Sequence, residues 1–160
     1  METKARGNHH RVRAVGIVVQ DDSVALIRRE HSDRGKRYFL FPGGGVEIGE
    51  SIEHAVRRET FEELGLVVIP VQLIAVVNRN GSLQYHYRVS VTGGEFGTGV
   101  GPEMSGEYHP SRGTYTAVWM KIVDLLSSPV YPRCVSELIV AAERDGWPQE
   151  PAHLIDNEQT

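Results

Sequence analysis

The amino-acid sequence predicts an α+β fold in which a mixed β-sheet is covered by helices. Short extended segments rich in β-branched residues alternate irregularly with two stretches of helical spacing, and turn sequences such as Asn80–Gly81 separate them. The chain has 160 residues, of which 40% are hydrophobic and 24% charged, as in an ordinary globular domain. We therefore expect a single domain over residues 1–160, with its core at about residues 10–146 and polar tails at both ends.

The N-terminal segments are predicted to form a hairpin that leads into a basic loop. Residues 11–19 carry small and β-branched side chains, and a polar turn at residues 20–23 returns the chain into the apolar run 24–27. Residues 28–37 are polar and predict a loop, which precedes a strand at residues 38–41. The basic residues of this loop are Arg28, Arg29, Arg34, Lys36 and Arg37.

The first helix is predicted between Ser51 and Gly65. Ser51 is a residue type that caps helix N-termini, and Gly65 suits the left-handed conformation that ends many helices. The sequence Pro-Gly-Gly-Gly at residues 42–45 predicts a break in regular structure before the helix. An apolar stripe gives the helix a core face, and its members are Ile52, Ala55 and Val56.

A β-hairpin is predicted after the first helix. Residues 66–68 and 71–77 are extended segments, and Asn80–Gly81 is a strong hairpin turn. Apolar and polar residues then alternate along residues 83–91, which predicts one face in the core and one facing a pocket or water. The predicted core face consists of Leu83, Tyr85, Tyr87, Val89 and Val91.

The C-terminal third begins with a glycine-rich loop at residues 93–113, whose seven glycines favour irregular backbone that could act as a lid. A strand at residues 114–122 and a short helical turn at 123–127 follow. A second helix starts at Pro132 and ends before Gly146, and the residues after Trp147 are expected to be a loose tail.

Three glutamates on the first predicted helix share one face. A helix advances about 100° per residue, so Glu59, Glu62 and Glu63 fall within roughly 100° of arc. Like charges at this spacing destabilise a helix mildly, and the negative C-terminal end of the helix dipole favours basic residues instead. Carboxylates on a rigid element are ligands of Mg²⁺ or Mn²⁺, so the face indicates a metal platform, with a solvated acidic face as the alternative.

A longer motif favours the metal platform. The segment fits G-x5-E-x7-R-E-U-x-E-E-x-G-U, where U is aliphatic, and seven fixed letters at this spacing recur by chance with probability below about one in a million. The residues at the fixed letters are Gly44, Glu50, Arg58, Glu59, Glu62, Glu63 and Gly65. The pattern resembles the signature box of the Nudix hydrolases, which cleave nucleoside diphosphates linked to another moiety. Thr60 departs from the aliphatic position but keeps a methyl group for packing.

The resemblance implies the Nudix α/β/α sandwich and a reaction dependent on Mg²⁺ or Mn²⁺, in which water attacks phosphorus. Glu62 and Glu63 are the expected metal ligands, and Glu59 is carried over as a further ligand or as the general base. Arg58 resembles the family arginine that orients these glutamates through ion pairs, and the Gly43 carbonyl matches a family metal ligand.

Supporting roles are implied for other positions of the box. Gly44 and Gly65 are structural, and Glu50 either supports the glycine loop or is an acid favoured near a helix N-terminus. Family members often add an acid from a distant loop. We expect Glu103 in that role, with Glu107 and Glu95 as the other candidates.

Substrate contacts are less defined. Arg28, Arg29 and Arg37 are predicted to bind phosphates, with solvated charges as the alternative. Tyr85 and Tyr87 could stack a base, although alternating aromatic residues on a strand are more often part of a core.

Composition excludes several classes of protein. A net charge of −4 and a pI near 6.0 give no footprint for general nucleic-acid binding, so a polyanionic substrate must be attracted by local positive charge or by bound metal. The resemblance implies that this partner is a small nucleotide. The single cysteine, Cys134, excludes an intrachain disulfide, and no apolar run reaches membrane length, so we expect a cytoplasmic protein. The resemblance also allows a homodimer.

Two other functions are weighed against hydrolysis. A nucleotide-sensing module with the same fold should have lost acids of the box, whereas this chain retains all of them. Isomerase chemistry on a prenyl diphosphate, as in a related branch, would want additional catalytic cysteine and metal-binding histidine positions, and the chain has only Cys134.

Overall fold

The strands and helices of the protein are given by a computed structural model that describes residues 11–31, 35–104 and 113–159. The strands are β1 (Val12–Ile17), β2 (Val19–Gln20), β3 (Ser23–His31), β4 (Lys36–Leu40), β5 (Gly43–Gly45), β6 (Leu66–Arg79), β7 (Ser82–Gly94), β8 (Thr114–Lys121), β9 (Val130–Tyr131) and β10 (Ala152–Asp156). The helices are α1 (Ile52–Leu64) and α2 (Arg133–Asp145), and a 3-10 helix covers Ile122–Ser127.

The strands form two sheets with mixed strand directions. One sheet has the order β10-β6-β7-β1-β5, in which β1 runs parallel to β7 and β10 parallel to β6. In the other sheet β3 pairs antiparallel with β2, β4 and β8, and β9 runs parallel to β4. The predicted α+β fold with mixed sheets is confirmed, although the strands divide between two sheets.

Alternation along the central strands sends side chains to two cores. Val15 and Ile17 of β1 pack with residues of α2, whereas Ala14 packs with residues of α1 on the opposite face. Leu26 of β3 joins the α2 core, and its neighbours Ala25 and Ile27 join the α1 core. Because side chains of a strand point alternately to its two faces, both faces are buried and a helix packs on each.

The predicted turns and helix ends are confirmed. Asn80 and Gly81 have φ angles of 50° and 82°, the left-handed pair that a tight hairpin turn requires. Ser51 accepts a 3.1 Å hydrogen bond from the His54 amide and so caps α1. At the other end Gly65 has φ 77° and donates its N–H to the Phe61 carbonyl.

The predicted basic loop at residues 28–37 is wrong, because strand β3 continues to His31 and β4 begins at Lys36. β3 lies between β4 and β8, and Arg28 is paired with Phe39 on one side and Thr116 on the other. Backbone pairing on both sides extends the strand regardless of the charge of its side chains. Likewise, Gly43–Gly45 form the short strand β5 against β1 rather than an irregular break.

The predicted core face of β7 is also wrong, because only Val89 of its five members is buried and Val91 is 43% exposed. Gln84 and His86 are buried, whereas Leu83, Tyr85 and Tyr87 are only partly buried. His86 pairs with Val15 of β1 and therefore faces the α2 side. A strand whose two faces are both covered need not place its polar residues towards water, so alternation alone could not identify the buried face.

The predicted extended segments 66–68 and 71–77 are confirmed as strand, and they join into one long strand, β6, with register irregularities around Pro70. The predicted tail after Trp147 is wrong. The residues after Trp147 are not a loose tail throughout, because β10 pairs with β6 along Ala75–Arg79. Pairing with β10 satisfies backbone hydrogen-bonding groups at the edge of β6, and such pairing does not require an apolar pattern in the sequence of β10.

The membrane and cysteine expectations can be examined over the same residue ranges. No helix among the described residues is long and apolar enough to cross a membrane. Cys134 lies partly buried on α2 as a free thiol, and burial raises the pKa of that thiol. A raised pKa leaves the thiol protonated and less reactive.

Candidate active site

Arg58 ties the acidic face of α1 to the segment that precedes the helix. Its Nε and Nη2 donate to the two carboxylate oxygens of Glu50 at 2.8 and 3.0 Å. Its Nη1 donates to Glu59 at 2.8 Å and to Glu62 at 3.3 Å, and Nη2 also reaches the Gly45 carbonyl at 3.0 Å. The planar guanidinium thus fixes three carboxylates and one loop carbonyl at once.

Glu50 is part of this network rather than a free acid at the helix start. Only 7% of its side chain is exposed, and the Glu47 amide donates to its Oε2 at 2.9 Å. The hydrogen bonds from Arg58 lower the pKa of Glu50 to about 2. Of the two alternatives for Glu50, the contacts agree with support of the glycine loop.

Glu63 is a buried carboxylate, and the partly buried Glu59 carboxylate lies close enough to interact with it. Glu63 is 8% exposed and accepts a 2.8 Å hydrogen bond from the Gly43 amide. Burial raises the pKa of Glu63 well above its usual value, and the charge of Glu59 raises it further. Burial also raises the pKa of Glu59, against the opposing effect of Arg58. A side chain at Gly44 would overlap the Glu59 carboxylate, which explains the glycine there.

The described first part of the glycine-rich loop, residues 95–104, lies against the C-terminal end of α1. The amides of Gly97 and Gly101 donate to the carbonyls of Leu64 and Glu62, each at 2.9 Å. These bonds satisfy carbonyls that a helix end leaves without partners. A Cβ at Gly99 would lie 2.5 Å from the Glu63 carbonyl oxygen, so the close approach requires glycine.

This loop brings Glu103 to the acidic face. The negative charge of Glu103 raises the pKa of both Glu59 and Glu63. Glu95 lies at the start of the loop, where its amide donates to the Gly65 carbonyl at 3.2 Å. Glu107 lies outside the described residues. Of the two candidate loop acids that are described, Glu103 is the one whose charge acts on both carboxylates.

Arg13 is a site residue that the sequence did not reveal. Its Nη2 donates to the Gly43 carbonyl at 3.0 Å, and it interacts electrostatically with Glu63 and Glu59. Burial lowers the pKa of Arg13, and the nearby charge of Arg11 lowers it further. A basic residue within the otherwise apolar strand β1 was the available signal, since charged residues are rarely buried without a partner.

A cleft of about 470 Å³ extends from Arg13 between β6, β7 and the start of α2. This volume lies in the range of small-molecule sites. Its wall combines basic, polar and aromatic side chains, among them Arg13, Arg79, Gln84, His86, Phe41 and Tyr131. A ligand there would meet two guanidinium groups and ring surfaces. None of Glu59, Glu62 and Glu63 is among the described residues that line the cleft, and Arg13 is the residue that links its wall to them.

His86 is a buried neutral acceptor in this wall. Burial lowers its pKa to about 4, and the ring packs edge-on against Phe41. Nδ1 lies 3.3 Å from the Gln84 carbonyl, which can only accept, so Nδ1 carries the proton and Nε2 is an acceptor. Nε2 has no hydrogen-bond partner in the described part of the chain.

The arginines predicted to bind substrate lie elsewhere. Arg28 forms an ion pair with Glu30 at 3.5 Å, and the Arg29 guanidinium lies 3.7 Å from the centre of the Tyr115 ring. Arg37 lines a second cleft, of about 990 Å³, at the β3–β4 hairpin. None of the three is among the described residues that line the cleft beside the glutamates.

The tyrosines predicted to stack a base lie on the opposite face of β7 from His86. Tyr87 packs against the α1 core, and its hydroxyl donates to Glu53 of α1 at 3.1 Å. Tyr85 is half-buried and pairs with Ala14. Neither tyrosine is among the residues described as lining the cleft.

The carboxylates fit a divalent metal by their chemistry. Within residues 11–31, 35–104 and 113–159, no three acidic, histidine or cysteine side chains converge tightly enough to enclose an ion. However, burial raises the pKa values of Glu59 and Glu63, and the charges of neighbouring carboxylates raise them further, so a cation would relieve both effects. Carboxylate and carbonyl oxygens are the ligands that Mg²⁺ and Mn²⁺ prefer.

Comparison with known proteins defines the class to which this fold and site belong. The NUDIX domain family model matches residues 10–133, which include the whole acidic face of α1. A solved NUDIX hydrolase from Nitrosomonas europaea aligns with a TM-score of 0.68 and 19% identity, over 92% of this chain and 79% of that one. The chain belongs to the Nudix family.

Two curated relatives carry names of particular activities. An ADP-ribose pyrophosphatase from Methanocaldococcus jannaschii is 35% identical over 97 residues, which are 57% of each protein. An 8-oxo-dGDP phosphatase from Mus musculus is 36% identical over 84 residues, 52% of this chain and 25% of that protein. The matches therefore span less than two thirds of either relative.

Proposed function

We propose that the chain is a metal-dependent pyrophosphohydrolase that splits the pyrophosphate linkage of a nucleoside diphosphate joined to another moiety. The observation that carries the proposal is the acidic face of α1, where buried Glu63 and partly buried Glu59 lie beside the Arg58 network. Arg13, which lines the cleft, is close enough to interact electrostatically with both carboxylates. Stability alone would not select buried carboxylates of like charge. Their placement beside a basic cleft suits a phosphate substrate with a bridging cation.

The residues that would hold Mg²⁺ or Mn²⁺ are the box glutamates with two additional groups. They are Glu59, Glu62, Glu63, the Gly43 carbonyl and Glu103. Such a metal, when bound, neutralises charge on the phosphoryl oxygens and lowers the pKa of a water. The Gly43 amide donates a hydrogen bond to the Glu63 carboxylate, and this contact keeps Gly43 and Glu63, two of the expected ligand residues, next to each other.

The protein's own groups would orient the reaction. Arg58 fixes the carboxylates of Glu59 and Glu62, so they face the substrate in one orientation. Glu59 serves either as a ligand or as the base that takes the proton of the attacking water on a carboxylate oxygen. Arg13 supplies positive charge where the cleft meets the acidic face.

Phosphate release from a substrate panel tests this function. The panel contains nucleoside triphosphates, oxidised nucleotides, dinucleoside polyphosphates, ADP-ribose and nucleotide sugars, each with Mg²⁺, Mn²⁺ or EDTA. We expect turnover with metal only, lost by at least about 100-fold in Glu62→Gln and Glu63→Gln. Glu143→Gln is the matched control, since Glu143 is exposed on α2.

The alternative is a nucleotide-sensing Nudix module without turnover. It would be supported if the folded protein bound nucleotides and released no phosphate from any compound with either metal. Turnover that persisted in EDTA or in both glutamine variants would contradict the proposed site.

A further inference from the structure

Part of the cleft wall is formed by the residues that directly follow the C-terminal strand β10. β10 pairs parallel with the end of β6, and Asp156 stands in register with Arg79. Glu158 and Gln159, just beyond β10, line the cleft together with Arg79. These C-terminal residues lie outside the range 10–133 that the family model matches. Part of the cleft wall is therefore formed by a segment that the family model does not match.

Asp156 holds the Arg79 side chain in place. Its Oδ2 lies 3.3 Å from Arg79 Nε, and only 4% of Asp156 is exposed. Its Oδ1 accepts a 2.9 Å hydrogen bond from the Glu158 amide. The guanidinium also contacts the Glu158 carbonyl at 3.4 Å and lies 5.8 Å from the centre of the Tyr131 ring. The arginine is thus fixed from three sides.

The fixed guanidinium retains capacity for a ligand. Arginine has five N–H donors, and Nη2 donates to the Glu158 carbonyl, whereas Nε is in ionic contact with Asp156 Oδ2 without a hydrogen bond. Arg79 also faces Arg13 closely enough that their like charges interact. Two guanidinium groups that line one cleft repel each other, and an anion between them removes that repulsion.

We propose that Arg79, positioned by Asp156, is a specificity-determining residue that binds a phosphoryl group of the substrate outside the anhydride that is cleaved. The inference rests on the proposed function for the location of that anhydride at the acidic face. Arg13 lies between the two regions, because it bonds to Gly43 and lines the cleft that Arg79 also lines. Planar guanidinium groups bind phosphoryl oxygens in pairs, which suits this assignment.

Two sources of the phosphoryl group can be distinguished by paired ligands. The terminal phosphate is tested by ATP against ADP, and a phosphate on the sugar is tested by 2′-phospho-ADP-ribose against ADP-ribose. Affinity of the full chain for each is measured by calorimetry in EDTA, where no turnover is needed. We expect the affinities for the two ligands of one pair to differ by about 10- to 100-fold, which is the contribution of a charge-assisted hydrogen bond.

Variants assign that difference to Arg79. In Arg79→Gln the affinity ratio should fall to about one. Arg79→Lys should keep part of the ratio, because lysine has the positive charge but lacks the planar pair of N–H donors. Asp156→Asn should lower the ratio at an unchanged fold, checked by circular dichroism. Arg88→Gln is the control and should keep the ratio, since Arg88 stacks on Trp147 and is not among the described cleft residues.

Several outcomes would overturn the inference. A wild-type protein that discriminates within neither pair, or an Arg79→Gln variant that keeps the ratio, removes Arg79 from the site. An unchanged ratio in Asp156→Asn removes the positioning role. If hydrolysis is intact in these cases, the proposed function is retained and only the inference about Arg79 is rejected. Absence of both nucleotide binding and hydrolysis would remove the two together.

Discussion

At the scale of single residues, the hydrogen-bond network of Arg58 depends on the shape of its side chain as much as on its charge. Five hydrogen bonds from one guanidinium reach Glu50, Glu59, Glu62 and Gly45. Lysine would keep the charge but could satisfy only part of this set, since an ammonium group has three donors on one atom. The residue is therefore predicted to tolerate no conservative replacement.

We expect Arg58→Lys to lower the free energy of unfolding by about 1–3 kcal/mol, because buried carboxylate oxygens lose their donors. Urea denaturation measures the change. Arg57→Lys on the same helix is the control and should stay within about 0.5 kcal/mol, since Arg57 is exposed. Equal midpoints for the two variants would show that the network adds nothing to stability.

His86 gives the fold a predicted sensitivity to acid. Its pKa is about 4 when folded against an ordinary value of 6.5, so between these values the unfolded chain binds a proton that the folded protein does not. Stability should therefore fall as pH drops from about 6.5 to about 4, by at most about 1.4 kcal/mol per unit.

His86→Gln should flatten that pH dependence, because the replacement cannot titrate. Denaturation midpoints at pH 4.5, 5.5 and 6.5 measure the slope, compared with His153→Gln, in which the replaced residue is exposed on β10. The same slope in wild type and His86→Gln would show that other groups cause the acid sensitivity.

At the scale of elements, residues 95–104 of the glycine-rich loop pack tightly against the helix that carries the site. This segment packs so closely on the end of α1 that Gly99 has no room for a side chain beside the Glu63 carbonyl. The sequence predicted irregular backbone here and a loop acid, but could not show that the glycines serve close packing rather than freedom of movement. That distinction depends on distances between segments far apart in sequence.

Gly99→Ala should push the loop away from α1 and carry Glu103 from the acidic face. We expect activity on a substrate from the panel to fall by about 10-fold or more, with a loss of stability of about 1–3 kcal/mol from overpacking. Amide hydrogen exchange at Gly97 and Gly101 should accelerate, since their bonds to α1 are lost. Gly93→Ala is the control, because a Cβ there meets only Val67 at 3.8 Å.

At the scale of the whole molecule, the parts predicted from the sequence were those set by local chemistry. The caps of α1 and the Asn80–Gly81 turn depend on a few adjacent residues, and the box motif placed the glutamates on one helix face. Arg13, His86 and β10 were missed because their neighbours are distant in sequence. A pattern within one segment does not show which other segment will cover it.

The parallel pairing of β1 with β7 has a consequence for how the chain folds. Val12 is in register with Leu83, and Ile17 with Arg88, so β1 gains this partner only after the intervening chain has been organised. Closing so long a loop costs entropy before any contact repays it, and domains of this kind fold in milliseconds to seconds rather than microseconds. On the ribosome, β1 would leave the exit tunnel well before β7 and wait for it with one edge open, a period in which binding by a chaperone would protect the chain from aggregation.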